Sequence, residues 1–392
     1  MVAAGSYRRS RETVGDLDIL VTARKNSPVM KRFLEYDEVT RVLSGGATRS
    51  SVVLKAGLQV DLRLVAQSSF GAALQYFTGS KDHNIAVRRR GQQRGLRINE
   101  YGVFRFEKQV AGRTETSVYK TLDLPYIPPE LRENRGEIEA AADNRLPELV
   151  ELSDLKGDLH LHTFATDGRN SIAEMAQAAK KHGLKYIAVT EHSDRLKVAG
   201  GLDPPRLMQQ IDEIDDLNDR LKGIRILKGL EVEILEDGSL DLPDKVLARL
   251  DLVVGTVHSY FNLPLEKQTG RILRAMDHRY FSILAHPTGR LIGEREPYQV
   301  DMTRIIHQAR DRGCFLELNS NPRRLDLYDI DCRVAREEGV LVSINSDAHS
   351  INDFNYLAFG VGQARRGWLE KDDVLNTRSL AQVRKLLRQT MG

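Results

Sequence analysis

Histidine is scarce in this chain, with ten in 392 residues, yet six of the ten stand where chemistry can use them. His160 and His162 fall in "GDLHLHT", His192 in "TEHSD", His258 in "GTVHS", His286 in "AHP" and His349 in "NSDAH". Each lies at or just past the C-terminal end of an apolar run. Asp167, Glu231 and Asp347 occupy similar places. Neutral imidazoles mixed with carboxylates suit zinc, manganese or iron. Residues i and i+2 of a strand point the same way, so both imidazoles of "HLH" reach one side. Glu231, in "GLEVE", has two oxygens and can bridge two ions. Any one of these histidines alone reads better as a satisfied structural residue. Nine ligand-type residues on one face do not, because burying them unpaired would cost on the order of several kcal/mol per charged group. The set predicts a multinuclear metal site. His182, His278 and His307 sit in or near the end of helical patterns and are assigned no role.

A second group of carboxylates lies near the N-terminus. Asp16 and Asp18 are again i and i+2, in "DLDILVT", and Asp61 interrupts the apolar strand "VDLRLV". An aspartate there is costly unless it meets a cation or a partner. Three carboxylates on adjacent strands can hold two Mg²⁺ ions for phosphoryl transfer. "GSYRR" ahead of them offers a tight turn with backbone N–H groups and guanidinium groups suited to a triphosphate. "YFTGSKDHNIAVRRRGQQRGLR" follows, with Tyr76, Phe77, a bend at Gly79, and then Arg88, Arg89, Arg90, Arg94 and Arg97. Such a basic run in isolation is usually a solvated helix face. Beside a carboxylate triad it reads as a nucleotide-sugar gate and a surface that follows phosphates.

The elements that must position these groups change character along the chain. In the front half "DLDILVT" and "LQVDLRLV" alternate as strands, "SVVLKA" precedes the second as a hairpin partner, and "SSFGAALQYFTG" reads as a helix with Ser at its start and Gly at its end. Residues 124–157, with four prolines, many charges and a short helical piece at Ile138–Ala142, form a connector, and a boundary falls near residue 150. Beyond it, seven apolar runs alternate with helical patterns. "AKKHG", "DRLKG", "ARDRG" and "AREEG" read as helix ends closed by glycine. Repeated strand–helix alternation implies parallel strands, and a β/α barrel is the natural closure, with an open doubly wound sheet as the alternative. In a barrel the strand C-termini converge on one face, where active sites sit. The fold class is multidomain, α+β in front and α/β behind.

Composition sets outer bounds. Hydrophobic residues make up 41% and charged residues 29%, ordinary for a globular protein. No run of about 18 apolar residues is present, and the N-terminus has no long apolar core, so neither a membrane span nor a signal peptide is expected. Two cysteines, Cys314 and Cys332, fit a reducing cytoplasm and small buried apolar positions. The first 150 residues carry 24 Lys+Arg against 18 Asp+Glu, and the remainder 34 against 37. A basic front suggests a polyanionic partner and an acidic back suggests bound cations. A monomer is favoured.

The motifs of the back half, "GDLHLHTFATDG", "TEHSD", "GLEVEI", "GTVHS", "AHP" and "NSDAH", resemble the PHP (polymerase and histidinol phosphatase) family over roughly residues 155–350. The resemblance implies a distorted seven-stranded β/α barrel over residues 151–392 and three divalent ions, Mn or Zn, with Fe as a further option. It implies that His160, His162, Glu231 and Asp347 hold one ion, that Glu231, His258 and His286 hold a second, and that Asp167, His192 and His349 hold the third. Metal-dependent hydrolysis of a phosphomonoester or phosphodiester is the expected reaction.

The front half resembles the palm and thumb of family X DNA polymerases, through "GSYRRSRETVGDLDIL", "VDLRLV", "YFTGSKDHN" and "NEYGVFRF". "LPYIPPELREN" and the PHP part point to the bacterial and archaeal branch. The resemblance implies a partial palm over residues 1–66 and a thumb with connector over 67–150. It makes Asp16, Asp18 and Asp61 catalytic aspartates holding Mg or Mn. Gly5, Ser6 and Arg9 would contact the incoming triphosphate; Tyr76, Phe77 and Gly79 its sugar; Asn84 and Arg88 the nascent base pair. Gapped or 3′-ended DNA and dNTPs are the implied partners, with gap filling and 3′→5′ exonuclease or 3′-phosphatase action the implied activities of a DNA-repair enzyme. In this branch a helix-hairpin-helix domain and fingers precede the palm. The chain starts inside the nucleotide-binding motif, so the expectation is intact hydrolysis and weak polymerisation. Two rival readings are a phosphatase of small phosphomonoesters such as histidinol phosphate, and a non-catalytic DNA-binding front half.

Overall fold

The computed structural model describes residues 1–24 and 26–391. The chain divides into two compact units, Met1–Pro147 and Glu148–Gly392.

The first unit opens with β1 (Val2–Ala3), α1 (Gly5–Arg8), β2 (Asp16–Val21), α2 (Val29–Leu34), β3 (Val39–Gly45), β4 (Arg49–Leu54) and β5 (Gln59–Leu64). These strands form one sheet in the order β1-β2-β5-β4-β3. β4 and β5 pair as the expected hairpin. β2 and β5 run parallel, and their register sets Asp18 opposite Asp61. Leu20 on β2 buries itself against Ala4 and against Ala73 and Leu74 of α3 (Phe70–Thr78), so the carboxylate-bearing strand is anchored through its apolar residues.

α4 (Lys81–Gln92) follows, its first turn capped by the Ser80 side chain accepting from the His83 N–H. A three-stranded antiparallel meander comes next: β6 (Arg97–Asn99), β7 (Gly102–Arg105) and β8 (Lys108–Ala111). α5 (Glu115–Lys120) begins in a capping box built on Thr114, and α6 (Glu137–Ala142) closes the unit. Two buried polar clusters tie these pieces together. Glu115 accepts from both Arg8 and Arg132, at 2.6–2.8 Å. His83 Nδ1 donates to Glu137 at 2.6 Å, and its Nε2 accepts from the Tyr119 hydroxyl at 2.9 Å.

The second unit alternates strand and helix. Its strands are β9 (Gly157–Asp158), β10 (Tyr186–Val189), β11 (Arg225–Glu233), β12 (Leu252–Thr256), β13 (Ile283–Leu284), β14 (Phe315–Asn319) and β15 (Val342–Asn345). Its helices are α7 (Ile172–Lys181), α8 (Pro204–Arg220), α9 (Asp244–Leu247), α10 (Leu265–Met276), α11 (Met302–Arg312), α12 (Asp329–Glu337), α13 (Leu357–Arg366) and α14 (Leu380–Thr390). All seven strands are parallel and ordered as in the sequence. An isolated bridge from Leu161 to Ala348 brings the two ends together. The sheet is therefore a nearly closed barrel. An open doubly wound sheet would need a reversal of strand order, and none occurs.

Alternation along the strands sorts the core into two clusters. Ile187, Val189, Leu230, Val232 and Val253 pack with helix residues such as Met175, Ile211 and Ile272. Tyr186, Ala188, Leu227, Leu252, Val254 and Ile283 form the other, joined by Leu375, Val383 and Leu387 from the C-terminal segment. Two details differ from the sequence reading. The "DRLKG" helix stops at Arg220 because Leu221 turns extended, leaving Gly223 in the following turn. His160 and His162 lie beyond β9 rather than on a strand. The Asp158 carboxylate takes over there, accepting from the His160 and Ser346 N–H groups and ending the ladder. Cys314 and Cys332 are buried thiols. Among the described residues no helix is long and apolar enough to cross a membrane.

Candidate active sites

The loops leaving the barrel strands, with Glu231 near the end of β11, bring all nine ligand-type residues of the sequence reading into one cluster. His160 Nε2 and His162 Nε2 stand 3.2 Å apart. Asp347 Oδ1 lies 3.7 Å from the first and 3.3 Å from the second. The two Glu231 oxygens lie 3.6 Å from the same two nitrogens. Metal–ligand bonds of about 2.0–2.2 Å put tetrahedral neighbours roughly 3.3–3.6 Å apart, so this spacing is that of donors around one shared ion. Glu231 also reaches His286 Nε2 at 3.0 Å and His258 Nε2 at 3.5 Å. Asp167 reaches His192 Nε2 at 3.4 Å and His349 Nε2 at 3.5 Å.

Buried atoms left without hydrogen-bond partners support the same reading. His162 Nδ1, His192 Nδ1, His286 Nδ1 and Glu231 Oε2 have no hydrogen-bond partner among the described residues. His192 Nδ1 and Glu231 Oε2 are only 2.7 Å apart yet not aligned as a hydrogen bond. Buried polar atoms are rarely left unpaired, and imidazole and carboxylate ligand atoms clustered this closely suit a shared cation. The residues present therefore fit divalent metal binding.

Grouping by mutual distance gives sets that overlap the expected partition without coinciding with it. Three sets have ligand atoms all within 4.8 Å of one another: His160, His162 and Asp347; His192, Glu231 and His258; and His162, Asp167, His192 and His349. His162 thus joins the third set, and His192 stands with Glu231 and His258 where His286 was expected. The His162 ring is stacked 4.3 Å from that of His192 and 4.4 Å from that of His349. His286 remains attached to the cluster through Glu231.

The electrostatics follow from burial among carboxylates. Burial opposes charge on His160, yet Glu317, Asp347 and Glu231 raise its pKa well above the ordinary value. His192 is raised to about 10 against its burial, chiefly by Glu231 and Asp167, and His349 to about 9, chiefly by Asp167 and Asp347. Burial lowers His162 to about 3, helped by the neighbouring His192 and His349. Burial likewise lowers His286 to about 4, with Arg324 adding to the effect. The carboxylates thus favour positive charge at His160, His192 and His349, while burial opposes it at His162 and His286.

Several supporting residues were not read from the sequence. His160 Nδ1 donates to Glu317 at 2.7 Å, which fixes the tautomer and leaves Nε2 for a metal. Glu317 also accepts from Asn345, Asn319 and the His286 N–H. Glu233 accepts from the His258 N–H and the Ser259 hydroxyl, and Glu191 from Thr163. The signal that found Asp61, an acid inside an apolar run, was equally present at Glu317 in "CFLELNS".

In the first unit the expected aspartates meet on β2 and β5. Ser51, opposite Asp61 on β4, donates to Asp61 Oδ1. Burial raises the Asp18 pKa, and repulsion from Asp16 and Asp61 adds to it, while Arg63 and Arg49 oppose. Gly5 adopts φ +65°, and a β-carbon there would lie 2.6 Å from Asp18 Oδ2. Only glycine lets α1 sit against that carboxylate. Ser6 lies on the same short helix.

The neighbouring residues are placed less simply. Arg9 Nε pairs with Glu133 at 3.0 Å, and its Nη1 donates to the Thr78 carbonyl. In this conformation its guanidinium tethers the Thr78–Gly79 corner. Tyr76 and Phe77 meet edge to face at 5.1 Å, with Arg63 over Phe77 at 4.1 Å, and the Gly79–Ser80 peptide is cis. Asn84, expected at a base pair, is buried. Its amide accepts from Gln75 and donates to the Tyr76 carbonyl, so here it supports that corner. Arg88 is exposed on α4.

A barrel carrying a metal-ligand cluster and a paired-aspartate sheet on one chain define a nucleotidyltransferase fused to a phosphoesterase. Residues 73–133 match the DNA polymerase beta thumb family and residues 158–321 the PHP domain family. The DNA polymerase/3′-5′ exonuclease PolX of Bacillus subtilis is 45% identical over 390 residues, covering 98% of this chain and 68% of that protein. The chain belongs to this family of family X polymerases carrying a PHP domain. A probable phosphatase of Thermoanaerobacter sp. is 28% identical over 243 residues, 59% of this chain and 94% of that protein. A probable phosphatase of Syntrophotalea carbinolica is 32% identical over 204 residues, 49% of this chain and 79% of its own length. A Leishmania infantum polymerase beta structure aligns with a TM-score of 0.30 at 23% identity, over 34% of this chain and 66% of that one.

Proposed function

We propose that the first unit carries out DNA-directed nucleotidyl transfer from dNTPs and that the barrel hydrolyses DNA from the 3′ end, as an exonuclease or 3′-phosphoesterase. The observation that carries this reading is the pairing of Asp18 with Asp61 across β2 and β5 in the same chain as the nine-residue cluster. A phosphatase of small phosphomonoesters has no use for the first. The similar phosphatases correspond to only part of this chain, about half to three-fifths of it.

Each residue has a stated role in this proposal. Asp16, Asp18 and Asp61 hold Mg or Mn, and Gly5 and Ser6 present α1 to the triphosphate. The Tyr76–Phe77–Gly79 corner borders the sugar, with Arg9 and Asn84 bracing it and Arg88 facing the DNA. In the barrel, His160, His162, Asp167, His192, Glu231, His258, His286, Asp347 and His349 hold three divalent ions, Mn, Zn or Fe. Bound divalent ions supply water activation near neutral pH and offset charge on the attacking and leaving oxygens. Glu317 and Glu233 orient His160 and His258. In hydrolysis, the water oxygen bonds to phosphorus as the P–O3′ bond breaks, and the leaving O3′ takes up a proton. The products are a shortened 3′-hydroxyl strand and a nucleoside 5′-monophosphate. A cytoplasmic setting is part of the proposal, supported by the two buried cysteine thiols.

The test is hydrolysis of a 5′-labelled single strand and of histidinol phosphate by the full chain with Mn²⁺. Shortening of the DNA with slow turnover of histidinol phosphate is expected. Efficient histidinol phosphate turnover with intact DNA would establish the phosphatase reading instead.

A further inference from the structure

Three histidines of the barrel cluster are followed, two positions on, by a large apolar side chain that faces solvent. His162 leads to Phe164, 65% exposed, His258 to Tyr260, 48% exposed, and His349 to Ile351, 39% exposed. A lone exposed hydrophobic residue is common on a protein surface. The same offset in three loops around one cluster is a pattern. In two of these loops the next residue points inward: Ala165 and Phe261 pack against the barrel core. Each of the two loops therefore buries one apolar side chain and displays an aromatic ring beside it.

Both rings stand on firmly held backbone. The Thr163 N–H donates to Glu191 at 3.0 Å, and the Thr163 carbonyl accepts from the Gly168 N–H at 2.9 Å, closing the loop that carries Asp167. Asn170 joins two of the three positions. Its carbonyl accepts from the Phe164 N–H at 3.0 Å, and its Oδ1 accepts from the Ile351 N–H at 3.1 Å, so Phe164 and Ile351 are neighbours. On the third loop Ser259 is gripped from both sides: its hydroxyl donates to Glu233, and its carbonyl accepts from Arg271 at 3.0 Å. Tyr260 itself has φ +57°, a left-handed conformation costly for any residue but glycine. His286 and Asp347, both in the cluster, share that region at +28° and +52°. Backbone strain of this kind collects at functional sites.

We infer that Phe164 and Tyr260 are base-stacking residues of the barrel site, each receiving an unpaired nucleobase next to the phosphate under attack, with Ile351 bordering the base on Phe164. The inference rests on the reading of the barrel as an enzyme acting on DNA ends. The apolar groups come singly, on separate loops, around a buried cluster of imidazoles and carboxylates. A protein or lipid surface would ask for one continuous apolar face. A nucleotide instead joins a phosphate to a flat ring within one residue's length. Every base has a π-face, so stacking of this kind is tolerant of sequence. Phe164 and Tyr260 thus touch substrate and hold no metal.

The experiment compares the full wild-type chain with Phe164→Ala, Tyr260→Ala, Phe164→Trp and Tyr260→Phe, all loaded with Mn²⁺. Metal content is measured by mass spectrometry. KM and kcat are measured on two 5′-labelled single strands, one normal and one whose two 3′-terminal nucleotides are abasic. On the normal strand each alanine variant should raise KM by about 5–100-fold, as for other lost base–aromatic stacks, with kcat little changed and metal content unaltered. On the abasic strand the wild type and the alanine variants should coincide. Phe164→Trp and Tyr260→Phe, which keep a ring, should recover most of the affinity. An alanine variant with the wild-type KM on the normal strand would overturn the role of its ring. Equal losses on both strands, or loss of metal, would overturn the inference as well, since the rings would then only brace their loops. Hydrolysis of dAMP separates this inference from the nuclease reading. If the wild type leaves DNA intact but cleaves dAMP with a KM that the alanine variants raise, stacking stands and the nuclease reading falls. If the wild type shortens DNA and both alanine variants match it, the reverse holds.

Discussion

Glu317→Gln is a small change with a large expected effect. Four donors converge on the two carboxylate oxygens: His160 Nδ1 and Asn345 Nδ2 on Oε1, the His286 N–H and Asn319 Nδ2 on Oε2. An amide offers only one acceptor oxygen. The His286 N–H is backbone and cannot turn away, so the amide oxygen should take the Oε2 side. Asn345 cannot flip either, because its Oδ1 already accepts from the Leu159 N–H at 3.1 Å. The new NH₂ then faces His160 Nδ1, which must give up its proton and carry it on Nε2, the nitrogen turned toward the metal site. Loss of such an orienting partner costs about 10–100-fold in metal affinity or activity, roughly 1.4–2.8 kcal/mol at 1.4 kcal/mol per tenfold. Calorimetric titration of the metal-free variant with Mn²⁺ measures this directly, and primer extension should be unaffected. If the variant binds Mn²⁺ as tightly as the wild type, the tautomer argument is wrong.

Other outcomes follow from single residues in the first unit. Gly5→Ala forces a β-carbon to 2.6 Å from Asp18 Oδ2 in a left-handed conformation. Backbone strain of about 1–2 kcal/mol and a displaced aspartate should cut nucleotide incorporation more than tenfold without slowing DNA hydrolysis, as a paired extension and degradation assay would report. Glu115→Gln removes the carboxylate that pairs Arg8 with the fully buried Arg132. Breaking a buried pair costs about 3–5 kcal/mol, so the first unit should unfold at lower denaturant, and an unchanged midpoint would refute the role given to this pair. Burial raises the Glu115 pKa, but its arginine hydrogen bonds and charges more than reverse this and hold it below the ordinary range. The stability it adds is therefore present above the unfolded value of about 4.3 and lost as pH falls through the folded one.

His83 acts in a different window. Burial lowers its pKa below 6.5 despite Glu137. Below about pH 6.5 the unfolded chain binds a proton that the folded chain does not, so stability falls with pH there. The stability gap between the wild type and His83→Gln should narrow from pH 7.5 to pH 5.5 in urea titrations, and a constant gap would contradict the burial argument.

The barrel and its nine ligands were legible because two independent regularities coincide. Parallel strands separated by helices force the strand ends onto one face, and rare residue types recur there, from His160 to His349. Pairings between distant segments were not legible. His160 finds Glu317 157 positions away, and His83 finds Glu137 across 54. Nothing local marks Glu137, and the acid within an apolar run at Glu317 does not name His160 as its partner. Which ligand side chains stand nearest one another, such as His162 stacked on His192 and His349, depends on loop conformation and is not written in the sequence. Asn84, given a base contact by the resemblance, is buried with its amide on Gln75 and the Tyr76 carbonyl, a placement that no local pattern announces.

The central claim is that two separate sites act on one DNA end. A 5′-labelled primer on gapped DNA, with Mn²⁺ and with or without dNTPs, tests it most directly when Asp18→Ala and His160→Ala are compared with the wild type. The account predicts that Asp18→Ala still shortens the primer but cannot extend it, and that His160→Ala extends it with dNTPs but cannot shorten it. Either substitution abolishing both activities would contradict the two-site account, as would a wild-type chain that only shortens the primer whether or not dNTPs are present.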